Sequence, residues 1–457
     1  MSKTAGLEKL RPCGITTTDV SPIELKGFIW QALHKVIARH PALSIIVLKE
    51  DQQDAEVHFA RLPSIDLETC VEFIEHKHVV TAGDRDEELE LLLQDQHRIN
   101  FRDDIGSRPF WRLLILQNPG NQSTFTAAWF FHHALGDGGC GPIFHRTFLE
   151  ALRSNASLPP GTELTSTVTP PSTPLLPKFE DLHPHPLSWP FFLRAILGSI
   201  FPSFFDPRAP KLWTGPPVTA PNPLPGSKVQ LLPLSASITT HLLKLSRENN
   251  TTMQATLECC IASALFSVLP AERYDKVIAS SPISLRFILQ HEGKPIGNDD
   301  FVLALADYSH THTRASHPSS NEKFPWEEAR AVRATIQAKV AKKGADNAVS
   351  LLRYVSDMHK FFTEKVGQER KVSFELSNLG LVRAEAGTEN EWKLGRCVFS
   401  QSPNVTGPPI CCSVVTGGDG CCVLAFSWLE GVVEDEMVTA VVDGVEKQIQ
   451  CLLGEKD

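Results

Sequence analysis

The stretch Phe130-Phe131-His132-His133-Ala134-Leu135-Gly136-Asp137-Gly138-Gly139-Cys140-Gly141 closes one apolar run and leads into another. Two motifs overlap in it. Gly136, Gly138 and Gly141 spell G-x-G-x-x-G between an expected strand and an expected helix, the setting of a dinucleotide fingerprint. That unit needs an acidic residue closing a second strand ~20 residues on. The chain enters a proline-rich stretch there instead, so the nucleotide reading fails. The second motif is HHxxxDG. With 17 histidines in the chain, an isolated HxxxD arises about once by chance, whereas HHxxxDG at the end of an apolar strand is far rarer. An imidazole, with an ordinary pKa of ~6.5, is a ready proton acceptor near neutrality. The following glycines let backbone pass close to a ligand. Asp137 could orient the ring of His133 or brace the loop.

Outward from the motif, residues 125–131 and 111–117 are short apolar runs bounded by Pro, Gly and Asn, and are expected as buried strands. Residues 142–152 follow as a helix. Upstream, Phe28, Ile29, Ala32, Leu33, Val36 and Ile37 recur at helical spacing, which predicts a helix over 23–40 stopped by Pro41. A β-branched run over 43–48 and an amphipathic helix over 87–97 complete this half.

Most of the chain's 33 prolines lie between Leu158 and Pro233, with no periodicity that a helix or strand could sustain. This is expected to be a long crossover between two halves. It contains an apolar island at 189–205, either a membrane-surface helix or a segment packed on the body. Arg194 is its only basic residue, which favours packing. The second half restarts with helices over 235–248 and 252–269, a strand over 276–280 and a charged helix over 326–343. Strands over 372–376, 414–416 and 421–428 follow, the last two joined by Gly417-Gly418-Asp419-Gly420, a hairpin signal. A helix over 434–453 ends this half. The expected division is 1–157, 158–233 and 234–457.

Composition sets the class. The 457 residues carry 53 acidic and 44 basic side chains, a formal charge of -9, which excludes the basic footprint of a general nucleic-acid binder. Eleven cysteines include three adjacent pairs and no CxxC. They read as buried reduced thiols, and no metal site is read from them. Cys140 beside the histidines raises a Cys–His nucleophile, but no third partner accompanies it. The N-terminal residues lack the apolar core of a signal peptide, and no apolar run reaches the ~18 residues of a membrane span. The reading is a cytoplasmic enzyme. GxSxG, P-loop and HExxH motifs are absent from the sequence.

The HHxxxDG segment resembles the signature of the CoA-dependent acyltransferase superfamily, which includes chloramphenicol acetyltransferase and peptide-synthetase condensation domains. Within it the chain is most similar to the fungal alcohol O-acetyltransferases. Other pieces agree: Arg39-His40-Pro41-Ala42-Leu43, Pro109-Phe110-Trp111-Arg112, Ser281-Pro282-Ile283-Ser284-Leu285-Arg286 with Gly297-Asn298, and Ser377-Asn378-Leu379-Gly380. The DFGWG motif of the plant branch is missing.

The resemblance implies an α/β fold of two chloramphenicol-acetyltransferase-like subdomains, each a mixed sheet flanked by helices, with a tunnel between them. CoA would enter from one face and the acceptor from the other. His133 matches the general base, and Asp137 the aspartate that pairs with an arginine, here Arg286. His132 and Gly138 would shape the loop. Ser377 and Asn378 are candidates for an oxyanion or substrate pocket, or for a purely structural strand end. Ser284, Lys339 and Lys342 are candidate CoA contacts, with a solvated helix face as the competing reading of the lysines. The implied activity is transfer of an acyl group, acetyl in the first instance, from acyl-CoA to a small hydrophobic alcohol, with no permanently bound cofactor. The chain is expected to be a monomer without nucleic-acid partners. Two alternatives remain: a stand-alone condensation-type enzyme using carrier-bound thioesters, and a noncatalytic binding protein of the same fold.

Overall fold

Strand Asn121–Phe131 runs through the middle of the first of two sheets, and its alternation explains the layers around it. Phe125, Ala127, Trp129 and Phe131 belong to one core, while Ala128 and Phe130 belong to another. A strand buried on both faces has this period of two and no polar side. The computed structural model describes residues 9–16, 22–50, 52, 57–77, 84–119, 121–155, 165–184, 186–200, 211–220, 225–296, 299–317, 324–384 and 392–454.

The first sheet has the order Lys393–Cys397, Lys9–Thr16, Asn121–Phe131, Trp111–Asn118, Val71–Glu75. Its last pair is parallel and the rest antiparallel, so the sheet is mixed. On one face lie helices Pro22–Arg39 and Cys140–Asn155. There Trp129 stacks on Phe131 and on Phe144, each pair with ring centroids 4.3 Å apart.

The second sheet has the order Ser227–Leu234, Cys422–Leu429, Ile410–Thr416, Phe374–Leu381, Lys276–Ser284, Leu305–Thr313. Phe374–Leu381 runs parallel to both of its neighbours. Helices Met253–Val268 and Asp435–Leu453 pack together on this half around Leu257, Ile261, Leu265, Val438, Val441 and Val445.

A crossing strand and a wedged helix help to join the halves. Strand Lys393–Cys397 follows most of the second sheet in sequence but pairs with Lys9–Thr16 in the first. Helix Glu87–Arg98 wedges between the sheets, where Leu89 and Leu93 meet Leu114, Phe130, Val229 and Val423. From this helix Glu90 accepts from the Leu231 amide at 2.7 Å and is itself held by Arg85.

Several expectations are corrected. Ser227–Leu234 is a full strand inside the stretch read as having no regular structure. Pro233 disguises it, yet among the described residues this strand pairs only with Cys422–Leu429, and an edge position tolerates the missing amide. The β-branched run begins as a 3₁₀ turn at Pro41–Ser44, with the strand confined to Ile45–Leu48. The apolar island is helix Trp189–Ile200, whose Pro190 falls in the first turn, where no amide is needed. Its Phe192 packs on Tyr354, while Trp189, Leu193, Ile196 and Leu197 are exposed. Gly297 and Asn298 lie outside the described residues. Among those described, no helix is long and apolar enough to cross a membrane.

Candidate active site

The last ladder bond of strand Asn121–Phe131 region is made by the His132 amide, which donates to the Phe110 carbonyl at 2.9 Å. The chain then turns through a 3₁₀ segment, His133–Leu135, before helix Cys140–Asn155. The two adjacent histidines part company here. His132 Nδ1 accepts from the Ala134 amide at 3.2 Å and caps the turn. Its Nε2 lies 3.5 Å from Glu50, and its ring packs on Phe110. Burial, helped by Arg102, lowers the His132 pKa to about 4, so the ring is neutral at working pH. His133, the first residue of the turn, is half-buried.

Behind the turn, Asp137 is 1% exposed and fully engaged. Its Oδ1 accepts from the Gly139 amide at 2.7 Å and from Arg286 Nη2 and Nε at 2.8 and 3.2 Å; Oδ2 accepts from the Ala304 amide at 3.1 Å. Arg286 is buried and also donates from Nη1 to the Asp300 carbonyl at 2.6 Å and from Nη2 to the Val302 carbonyl at 2.7 Å. The pair therefore joins the histidine loop of the first half to Arg286, Asp300, Val302 and Ala304 of the second.

Two glycines are required by contact. A Cβ on Gly139 would sit 2.7 Å from Arg286 Nε and 2.9 Å from Asp137 Oδ1, inside the ion pair. One on Gly136 would sit 2.2 Å from Cys140 Sγ. Gly138 is buried between them in the same loop. The Cys140 thiol faces Arg286 Nη2 at 3.2 Å, and burial pushes its pKa up to about 11. That protonated, buried sulfur is a packing group and a poor nucleophile.

The motifs upstream support this corner. The Trp111 indole donates to the Leu43 carbonyl at 2.7 Å, tying the two segments together. His40 is buried, bonds Thr147 at 3.0 Å and packs on Phe301, next to the Arg286-bound carbonyls. A cavity of about 340 Å³ opens beside Trp111 and Arg112, and Phe101 in its wall meets His132 edge-on.

The remaining candidates are more scattered. Ser377 is buried in strand Phe374–Leu381, and Asn378 Oδ1 accepts from the Gly380 amide at 2.8 Å. Ser284 is exposed, two residues before Arg286, and its hydroxyl accepts from the Arg286 amide at 3.4 Å. Lys339 donates to the Asp346 carbonyl at 3.3 Å, and Lys342 lies 3.9 Å from the Asp346 carboxylate. The loop after these lysines runs beside the Ser284 segment, where a Cβ added to Gly344 would lie 3.3 Å from Leu285. Sequence reading missed Val302, Ala304, Asp300 and Glu50; the first three act through backbone atoms, which leave no residue signature.

A histidine-bearing strand end, locked by an aspartate–arginine pair, stands where the two mixed sheets of a chloramphenicol acetyltransferase-like fold meet. The comparisons narrow the class. The chain is 31% identical over 446 residues to the probable alcohol acetyltransferase crmB of Aspergillus fumigatus, covering 93% of this chain and 91% of that protein. The alcohol acetyltransferase family model matches residues 232–449. The chain belongs to the alcohol acetyltransferase family and is an O-acetyltransferase. It is also 23% identical to the probable alcohol acetyltransferase FCK4 of Fusarium pseudograminearum, over 92% of this chain and 85% of that protein. In fold it is similar to TRI3 trichothecene 15-O-acetyltransferase from Fusarium sporotrichioides, with a TM-score of 0.65 at 13% identity over 98% of this chain and 91% of that one. The first condensation domain of the CDA synthetase gives 0.64 at 11% identity, over 98% and 91%. Membership implies acyl-CoA and an alcohol as substrates in general.

Proposed function

We propose that the protein transfers an acetyl group directly from acetyl-CoA to a hydroxyl of a small hydrophobic metabolite, with His133 as general base. The observation that carries this reading is the division of labour between the histidines. His132 is held as a neutral cap, while His133 stands at the strand end on the loop that Asp137 and Arg286 fasten between the halves. The chemistry needs no covalent enzyme intermediate. His133 takes the proton of the acceptor hydroxyl as its oxygen attacks the thioester carbonyl. The tetrahedral oxyanion collapses with cleavage of the C–S bond, and the imidazolium returns the proton to the departing sulfur. Ester and free CoA thiol leave, and the base is regenerated.

In this reading Asp137 is a positioning residue, because its oxygens are occupied by Gly139, Arg286 and Ala304. Ser377 and the Asn378 amide are proposed as polar groups of the pocket. Ser284, Lys339 and Lys342 are proposed to meet the CoA end, on the strength of the closeness of Leu285 to the loop at Gly344. General-base work contributes ~10²–10⁴-fold to rate. Thiol release and product mass are measured with the purified chain, acetyl-CoA and a panel of apolar alcohols. His133→Ala should lose at least ~10²-fold in kcat while keeping its circular dichroism spectrum. A folded His133→Ala protein with near-normal turnover sinks the mechanism.

A further inference from the structure

Strand Leu305–Thr313 lies at the edge of the second sheet and contains His310-Thr311-His312. Residues two apart share a strand face, and on that face both histidines meet Glu328 of helix Trp326–Ala341. Glu328 Oε1 lies 3.0 Å from His310 Nε2 and 3.3 Å from His312 Nδ1. These three atoms all fall within 4.8 Å of one another. Each imidazole is oriented through its other nitrogen. His310 Nδ1 lies 3.1 Å from Thr335 Oγ1, and His312 Nε2 lies 3.1 Å from Glu258 Oε1. Glu258 in turn accepts from the Tyr308 hydroxyl at 2.5 Å. His317 Nε2 stands 3.2 Å from His312 Nδ1, with its own Nδ1 on Ser263.

His312 Nδ1 faces both Glu328 Oε1 and His317 Nε2, and in the tautomer that donates from Nε2 to Glu258 this nitrogen turns a lone pair toward the Glu328 carboxylate. A divalent ion placed between them would accept from both. Around a tetrahedral ion with bonds of ~2.0–2.2 Å, ligand atoms sit ~3.3–3.6 Å apart, close to the 3.0 and 3.3 Å that separate Glu328 Oε1 from the two imidazole nitrogens. Two imidazoles and a carboxylate suit a late first-row divalent ion. An outer shell that fixes the ligating imidazoles, as Thr335 and Glu258 do, is what such sites carry. His312 and Glu258 are fully buried, while the side chains of His310 and Glu328 are each 13% exposed, which gives an ion its entry and a water its place.

We propose that His310, His312 and Glu328 form a structural site for a divalent metal of the zinc type, which fastens helix Trp326–Ala341 to the edge strand. The site is six residues along the chain from Ala304, about 20 Å at ~3.3 Å per strand residue, so it is separate from the reacting centre. The test uses the full chain, stripped with a chelator and titrated with Co²⁺ while visible absorption is followed, with Zn²⁺ as the displacing ion. One equivalent of Co²⁺ should give a saturable ligand-field band that Zn²⁺ removes, and Zn²⁺ should raise Tm. His310→Ala and Glu328→Gln should weaken Co²⁺ binding by at least ~10²-fold, and Thr335→Ala by ~10–100-fold. A wild-type chain with no saturable band and an unmoved Tm overturns the proposal. So does undiminished binding in a folded His310→Ala or Glu328→Gln protein. Should those two fail to fold, unchanged affinity in Thr335→Ala overturns it equally.

Discussion

Of the buried clusters of charged and polar side chains among the described residues, two are built on opposite plans. The Asp137–Arg286 cluster spans the halves and is satisfied mostly by backbone: the Gly139 and Ala304 amides, and the Asp300 and Val302 carbonyls. The cluster of Glu258, His310, His312 and Glu328 lies within the second half and is satisfied mostly by other side chains. A backbone-held pair fixes the path of two loops to each other, whereas a side-chain-held cluster fixes the packing of helices on a strand. Damage to the first should therefore reach the chemistry, and damage to the second should stop at stability.

The sharpest way to break that contrast is Asp137→Asn. Removing one side of a buried ion pair costs ~3–5 kcal/mol, and the Arg286 guanidinium would remain charged among carbonyls. Chemical denaturation should register this loss together with a collapse of turnover. Because neither partner is then left as an uncompensated charge, Asp137→Asn combined with Arg286→Gln should be less harmful than the two single losses added. If Asp137→Asn retains full stability, the brace is not what holds the loop.

Glu258→Gln tests the other side. The carboxylate accepts from Tyr308 and His312 while fully buried. The amide keeps an acceptor oxygen but loses the charge, and a hydrogen bond to a charged group is worth ~1.5–3 kcal/mol. Stability measured by denaturation should fall by about that much, with kcat and KM for the folded fraction unchanged. A kcat loss without a stability loss would mean that the two clusters are coupled after all.

The same contrast explains what could be read from sequence. HHxxxDG is contiguous, so the loop was legible, as were the apolar runs that became strands Trp111–Asn118 and Asn121–Phe131. Arg286 lies 149 residues from Asp137 and was reachable only through the family resemblance. The carbonyl of Val302 and the amide of Ala304 carry no side-chain signal at all. Strand Leu305–Thr313 was missed because its buried face is polar: Tyr308 and His312 point into a network, and apolar alternation never develops. Ser227–Leu234 was hidden by its proline, and the crossing of Lys393–Cys397 into the first sheet is a long-range pairing that no local pattern encodes. His310-Thr311-His312 was a visible signal, a period-two pair on one strand face, but it names no partner until Glu328 is folded against it.

The smallest effect at neutral pH is expected at His132, and its sign depends on pH. The ring is buried and its pKa is lowered to about 4, against an ordinary 6.5. Between these values the unfolded chain binds the proton and the folded chain does not, so stability rises with pH across the window. The full contribution of the neutral ring stands above pH 6.5 and is lost as pH falls toward 4, on the order of 3 kcal/mol in all. An asparagine there can still accept from the Ala134 amide but does not titrate. At pH 7, His132→Asn should cost under about 1 kcal/mol, less than His132→Ala, which loses the cap entirely. Below pH 6 the asparagine protein should lose stability less steeply than the parent, by up to one proton in the slope. His40, His97 and His317, held near 4, 3 and 3 by burial, add acid sensitivity that is common to both proteins. Denaturation curves from pH 7 to 4.5 compare the two slopes. Parallel slopes would place the His132 ring where it can charge freely, and the division of labour between the two histidines would then lose its physical basis.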